Sequence, residues 1–172
     1  PLGGAIYVNE GNNFTVEASK FIKNNASIGG AIYLTGGDGI IANSSFDRNS
    51  ASEDGGAIYL KGSEGIIVDS NFTNNRAKNY GALYMDSIKG IIDKSIFVNN
   101  VATESAGALG WVKKENGTIR GSKFINNSAP IGGAIYVNNA KEFYISTSDF
   151  ANNTARLNGG AIYWDSGING SI

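Results

Sequence analysis

The sequence predicts an all-β fold, a right-handed parallel β-helix in which residues 1–172 form one domain. One motif returns about every 26 residues, a second motif interleaves with it, and the segments between are short and rich in β-branched or aromatic residues. Such segments, bounded by Gly, Asn or Ser, are typical of strands, and none shows helical periodicity. Stacked repeats bury a continuous apolar column, and parallel crossovers are right-handed. We therefore expect about six to seven coils with three short strands each.

The first motif, Gly-Gly-Ala-Ile-Tyr, occurs five times, and two altered copies read Tyr-Gly-Ala-Leu-Tyr and Ala-Gly-Ala-Leu-Gly. The intervals between its alanines are 26, 26, 25, 26, 26 and 27 residues. The Ile or Leu after each alanine is expected to stack inside, together with the apolar residue two positions later, such as Leu34 or Leu60. Because side chains alternate along a strand, the Tyr between them is expected outside. The motif alanines are Ala5, Ala31, Ala57, Ala82, Ala108, Ala134 and Ala161.

The second motif, Ser-x-Phe-x-x-Asn-x-Ala, is invariant at its four named positions in six copies. The Phe is expected to stack inside the coil. The Asn is expected to form a buried structural ladder at a turn, because stacked amides bond to the repeats above and below them. Asn also tolerates the left-handed backbone that a turn can require. The Phe residues are Phe21, Phe46, Phe72, Phe97, Phe124 and Phe150, and the ladder residues are Asn24, Asn49, Asn75, Asn100, Asn127 and Asn153.

The composition excludes several classes of chemistry. The chain has no Cys and no His, so disulfides, Cys/His zinc sites, Cys nucleophiles and Ser-His-Asp triads are ruled out. Charged residues make up 17% of the chain and the net charge is −1, without a basic stripe for nucleic acid. No apolar run approaches the ~20 residues of a membrane span. We expect no cofactor, no nucleic-acid partner and no membrane span.

The carboxylates give no clear catalytic pattern. Many right-handed β-helices degrade polysaccharides, which requires clustered carboxylates, whereas here Asp and Glu are scattered and the connections are uniformly short. We therefore expect a protein that is not an enzyme. Asp38 and Glu64 occupy equivalent positions on successive coils and are the only candidate metal pair, for calcium; the alternative is two solvated carboxylates. Lys89 is expected to lie between Glu64 and Glu115 as cross-coil ion pairs.

A column of tyrosines is the candidate binding surface. Tyr33, Tyr59 and Tyr84 occupy equivalent positions on successive coils, and Gly110 interrupts the column one coil later. One interpretation is a surface ladder that only stabilises the sheet. The other is a flat aromatic strip for contact with a glycan or a protein.

Asn-x-Ser/Thr sequons are frequent and have two interpretations. They are N-glycan acceptors if the protein is exported, or they arise by chance in a sequence rich in Asn, Ser and Thr. Asn126 and Asn152, each beside a ladder Asn, are expected to point outward. The sequon asparagines are Asn13, Asn25, Asn43, Asn71, Asn116, Asn126, Asn152 and Asn169.

Along the whole chain, the alternation of Gly-Gly-Ala-Ile/Leu with Phe-x-x-Asn resembles the repeats of polymorphic outer-membrane proteins and of adhesin-like surface proteins of methanogenic archaea. The resemblance implies a secreted or surface-displayed solenoid with an adhesive or stalk role, whose partners are host-cell, matrix or glycan surfaces. The alternative function is a carbohydrate-binding or polysaccharide-degrading β-helix protein. The chain starts and stops within a repeat, so we expect a piece of a longer repeat protein or head-to-tail self-association.

Overall fold

The computed structural model describes residues 1–112, 115–167 and 169–172, and of Glu115 it describes the backbone alone. The predicted parallel β-helix is confirmed. The described strands pair in parallel and form three sheets of 11, 6 and 6 strands, through which the chain winds in about six turns. In the described part of the chain, no helix is long and apolar enough to cross a membrane.

The largest sheet has two arms that meet at a bend. The first arm carries the Gly-Gly-Ala-Ile-Tyr motif and the second carries the Ile-Ile segment. Two long strands, β9 (Ile58–Val68) and β12 (Leu83–Asp93), run through both arms and join them into one sheet. The other strands are β1 (Ile6–Gly11), β2 (Phe14–Glu17), β5 (Ile32–Gly36), β6 (Gly39–Ala42), β15 (Leu109–Val112), β16 (Glu115–Arg120), β19 (Ile135–Asn138), β20 (Lys141–Ser146) and β23 (Ile162–Asp165).

The second and third sheets are both built from the Ser-x-Phe-x-x-Asn-x-Ala motif. The second sheet contains its Phe, and the third sheet begins directly after its Asn. The sequence predicted three strands per coil, but it did not indicate the strands of the third sheet. The second sheet consists of β3 (Lys20–Ile22), β7 (Ser45–Asp47), β10 (Asn71–Thr73), β13 (Ile96–Val98), β17 (Lys123–Ile125) and β21 (Asp149–Ala151), and the third of β4 (Asn25–Ala26), β8 (Ser50–Ala51), β11 (Arg76–Asn79), β14 (Val101–Ser105), β18 (Ser128–Ile131) and β22 (Thr154–Asn158).

The core is a set of apolar columns that run the length of the solenoid. The Phe rings stack with centroids 4.7 to 5.1 Å apart and ring planes within 5° of parallel. Phe46, Phe72, Phe97 and Phe124 are fully buried. Burying one such side chain contributes about 1.5–3 kcal/mol, and no single repeat can bury its Phe without a neighbour. The Ile/Leu column of the first arm is also buried, at Ile32, Ile58, Leu83, Leu109 and Ile135.

The ladder asparagines form hydrogen bonds to the neighbouring coils. Asn75 Nδ2 donates to Asn100 Oδ1 and to the carbonyl oxygen of Phe46, each at 3.0 Å. In turn, Asn75 Oδ1 accepts a hydrogen bond from the Asn49 backbone N–H at 2.9 Å. The left-handed backbone lies one residue earlier, at Asn74 with φ of 58°, and not at the ladder residue itself. Each of the four inner ladder asparagines, Asn49, Asn75, Asn100 and Asn127, therefore joins three successive coils.

A serine ladder supports the turn before the Phe strand. Ser70 Oγ donates to the carbonyl oxygen of Val68 at 2.8 Å, and the Ser70 backbone N–H donates to Ser95 Oγ at 3.2 Å. The same two bonds recur at Ser44, and Asp69 before the turn serine has a left-handed backbone. This role explains an invariant Ser whose function the sequence alone did not indicate.

Candidate functional site

The tyrosine column lies on the outer face of the first arm. The rings of Tyr33 and Tyr59 stack at 5.1 Å with an interplanar angle of 4°, and those of Tyr59 and Tyr84 stack at 4.3 Å and 2°. All three side chains are partly buried. Because each inner ring is covered on both faces by its neighbours, ring edges and hydroxyl groups are the parts that reach solvent. The column is therefore a row of edges and hydroxyls and not a flat strip of ring faces.

The column continues past Gly110, where the sequence indicated a gap. The ring of Tyr80, which replaces the first Gly of its motif, lies over Gly110, and a Cβ at Gly110 would collide with that ring. Its centroid is 5.4 Å from that of Tyr84 and 6.5 Å from that of Tyr136. Tyr80 has a left-handed backbone with φ of 59°, a conformation that motif glycines such as Gly55 adopt without strain. Tyr80 thus fills the gap from a position that is not equivalent to the other tyrosines.

Four hydroxyls of the column are held in their protonated form. Burial raises the pKa of Tyr80 to about 12, and burial also raises the pKa of Tyr59, Tyr84 and Tyr136 above 10.0. At neutral pH these phenols are uncharged and can both donate and accept hydrogen bonds. These four phenols therefore offer uncharged hydrogen-bonding groups on this face.

A shallow, open depression of about 430 Å³ lies beside the column, next to the bend between the two arms. Tyr33 and Tyr59 form part of its lining, together with Asn9, Thr35 and Lys61. Thr35 Oγ1 donates to Asn9 Oδ1 at 3.0 Å, and Thr35 and Lys61 lie side by side in the sheet. An amide, a hydroxyl and an ammonium group next to aromatic edges are suited to a ligand rich in hydroxyl groups. The sequence pattern did not single out these three polar residues.

The two carboxylates of the candidate metal pair have different partners. Asp38 Oδ1 accepts a hydrogen bond from the Glu64 backbone N–H at 3.2 Å, while Glu64 Oε1 pairs with Lys89 Nζ at 3.4 Å. The expected partner on the other side of Lys89, the Glu115 carboxylate, lies outside the described side chains. Within the described ranges, no group of three or more Asp and Glu side chains is placed to hold a metal ion.

The candidate residues thus separate into three places. Tyr33, Tyr59 and Tyr84 come together as one outward column. Asp38 and Glu64 are neighbours on adjacent coils near the bend of the same sheet. The ladder asparagines lie elsewhere, between the second and third sheets, where their side chains are engaged in structural hydrogen bonds.

One comparison with known proteins identifies the fold family. A family model described as "Right handed beta helix region" matches residues 4–171. No curated protein and no solved structure matches the chain. Because the match covers nearly all of the sequence and agrees with the parallel sheets and stacked columns, the chain belongs to the right-handed β-helix family.

Proposed function

We propose that this chain is an extracellular or cell-surface structural solenoid whose tyrosine face adheres to a cell, matrix or glycan surface. The observation that carries the proposal is the in-register column of Tyr33, Tyr59 and Tyr84 beside a polar depression. A solenoid alone needs buried ladders, and these are supplied by the Phe and Asn columns. A second, outward aromatic column is therefore available for contact with a partner.

Repetition along the face favours adhesion through many modest contacts. In-register neighbours on a parallel sheet are about 4.8 Å apart, so the phenol groups recur at that interval. A ligand with its own repeating hydroxyl groups meets several equivalent partners at once. Linked contacts raise the overall affinity well above that of one contact, and no deep pocket is required.

A non-catalytic role is part of the proposal. Polysaccharide cleavage by acid–base chemistry needs two carboxyl groups that face one bond. The adjacent pair Asp38 and Glu64 supports a structural role instead, because Asp38 binds backbone and Glu64 binds Lys89. The alternative, a carbohydrate-binding or carbohydrate-degrading protein, is favoured by one feature, the depression lined by Asn9, Thr35 and Lys61.

Binding of the purified protein to cells and to glycan arrays tests the proposal. Replacing Tyr33, Tyr59 and Tyr84 together by Ser removes the rings and is expected to abolish binding. The matched control is Tyr144→Ser, because Tyr144 is an exposed tyrosine on the second arm, away from the column. Equal binding by the triple variant and the wild type would show that the tyrosine face is not the contact surface. Release of shortened glycans by the wild type would overturn the non-catalytic assignment.

A further inference from the structure

The sequon asparagines and the ladder asparagines differ in their exposure to solvent. The asparagine is exposed in every one of the eight sequons. The six ladder asparagines are buried or partly buried, and none of them is the acceptor Asn of a sequon, because the residue two positions later is always Ala. Asn75, for example, is followed by Arg76 and Ala77. The chain therefore separates asparagines that can carry an attached group from those that cannot.

Five of the eight sequon asparagines lie outside the strands. Six of the eight have a left-handed backbone, with φ between 48° and 58°, the conformation of a tight turn. Five of these six lie outside the strands, and Asn116 lies in β16. These six residues are Asn13, Asn43, Asn116, Asn126, Asn152 and Asn169.

The sequons also avoid the tyrosine-bearing strands. None lies within β1, β5, β15, β19 or β23, nor in the first-arm portions of β9 and β12. Asn71 lies on the second sheet, Asn25 on the third sheet, and Asn126 and Asn152 at the turns between these two sheets. The strands that carry the proposed contact surface thus contain no attachment site, and Asn116 of the same sheet lies on the second arm, in β16.

We propose that the exposed sequons are attachment sites for N-linked glycans, which cover the other sides of the rod and leave the tyrosine face bare. In the reaction, the side-chain amide nitrogen of Asn attacks C1 of a lipid-linked oligosaccharide. A C–N glycosidic bond forms, the bond from C1 to the lipid phosphate breaks, and the amide loses one proton. The inference rests on the extracellular location in the proposed function, since the transferase acts on exported chains.

Folding sets a physical limit on which asparagines can be modified. Transfer can precede folding, so every modified Asn must still leave room for a sugar in the folded state. A glycan on Asn75 would displace its bonds to Asn100 and Phe46 and prevent the coils from stacking. Because Ala77 has no hydroxyl group, Asn75 is not the acceptor of a sequon. The buried Ala column therefore protects the Asn ladder from modification.

Glycopeptide mass spectrometry of the protein isolated from its source organism tests the proposal. We expect sugar-bearing peptides at the sequons, including Asn126 or Asn152, and unmodified peptides at the ladder asparagines. Eight unmodified sequons in exported protein would overturn the inference. That result would leave the proposed function standing if the tyrosine variants still lost binding, so the two failures are distinguishable.

A designed sequon gives a second test in the same host. Ala77→Ser places a hydroxyl group two residues after Asn75 and thereby completes a sequon at a ladder position. The control Ala57→Ser makes a similar buried change without a sequon, because Gly55 lies two positions earlier. We expect a several-fold drop in secreted, folded protein for Ala77→Ser alone, and equal yields of the two variants in a host without N-glycosylation. Equal secretion of both variants in the source host would contradict the proposal.

Discussion

The phenylalanine and tyrosine columns have similar stacking but different tolerance of change. Phe72 and Phe97 stack at 4.7 Å, and Tyr33 and Tyr59 stack at 5.1 Å. The Phe column is unbroken and fully buried in the central coils, whereas the Tyr column is broken at Gly110 and repaired by Tyr80. The inner column has no space from which a neighbour could reach a gap, because the Phe side chains of the central coils are fully enclosed. The outer column has solvent on one side and therefore admits a ring from another position.

The two columns should differ most in the free energy of unfolding that is lost when one ring is removed. Phe72→Ala leaves a cavity in a closed core and should cost about 3–5 kcal/mol of unfolding free energy. Tyr59→Ala, in the partly exposed column, should cost about 1–2 kcal/mol. Urea unfolding monitored by circular dichroism measures both values. Similar losses for the two variants would show that the columns are not energetically distinct.

The loss of a ladder Asn should have the next largest effect on the free energy of unfolding. Asn75→Ala leaves the Asn49 backbone N–H and the Phe46 carbonyl oxygen without their buried partner, so we expect a loss of about 1–3 kcal/mol. Asn71→Ala serves as the control because Asn71 is exposed on the same coil. The same urea titration compares them. An unchanged midpoint for Asn75→Ala would show that the ladder bonds do not contribute to stability.

Substitutions at Tyr80 and Gly110 should affect the free energy of unfolding in a coupled way. Gly110→Tyr alone places a second ring where the Tyr80 ring already lies, and Tyr80→Gly alone leaves the column open. The double variant restores the regular motif, so the two substitutions should couple by about 0.5–3 kcal/mol. A double-mutant cycle in thermal or urea unfolding gives this number. Additive effects would mean that Tyr80 does not substitute for the missing tyrosine.

Alkaline pH should weaken the outer column selectively. Since burial raises the pKa of Tyr80 from 10.0 to about 12, the folded state retains a proton that the unfolded state releases. The stabilisation is complete below pH 10 and is lost as the pH rises towards 12. Unfolding free energies measured across this window should fall less steeply for Tyr80→Phe, which cannot ionise, than for the wild type. Identical pH profiles would contradict the burial of this hydroxyl.

The difference between the Phe column and the Tyr column also shows which features the sequence could predict. The Phe and Asn columns were predictable because each position recurs in every copy, and stacking in register is the only way to bury them together. Tyr80 was not predictable as part of the Tyr column, because it occupies a position equivalent to Gly in the other motifs. The depression at Lys61 is lined by polar residues that do not recur in the repeat, such as Asn9, Thr35 and Lys61, so repeat spacing does not reveal it. The left-handed residue lies one position before the ladder Asn, where the copies differ (Lys23, Arg48 and Asn74), so the repeat pattern did not single it out.

A triple Tyr-to-Phe variant tests the central claim most directly. Changing Tyr33, Tyr59 and Tyr84 to Phe removes the three hydroxyl groups and keeps the stacked rings, so the solenoid should remain folded. The account predicts that this variant unfolds cooperatively near the wild-type midpoint and has lost most binding to the cells or glycans that the wild type recognises. Wild-type binding by the folded triple Phe variant would contradict the claim that the hydroxyl row is the contact surface.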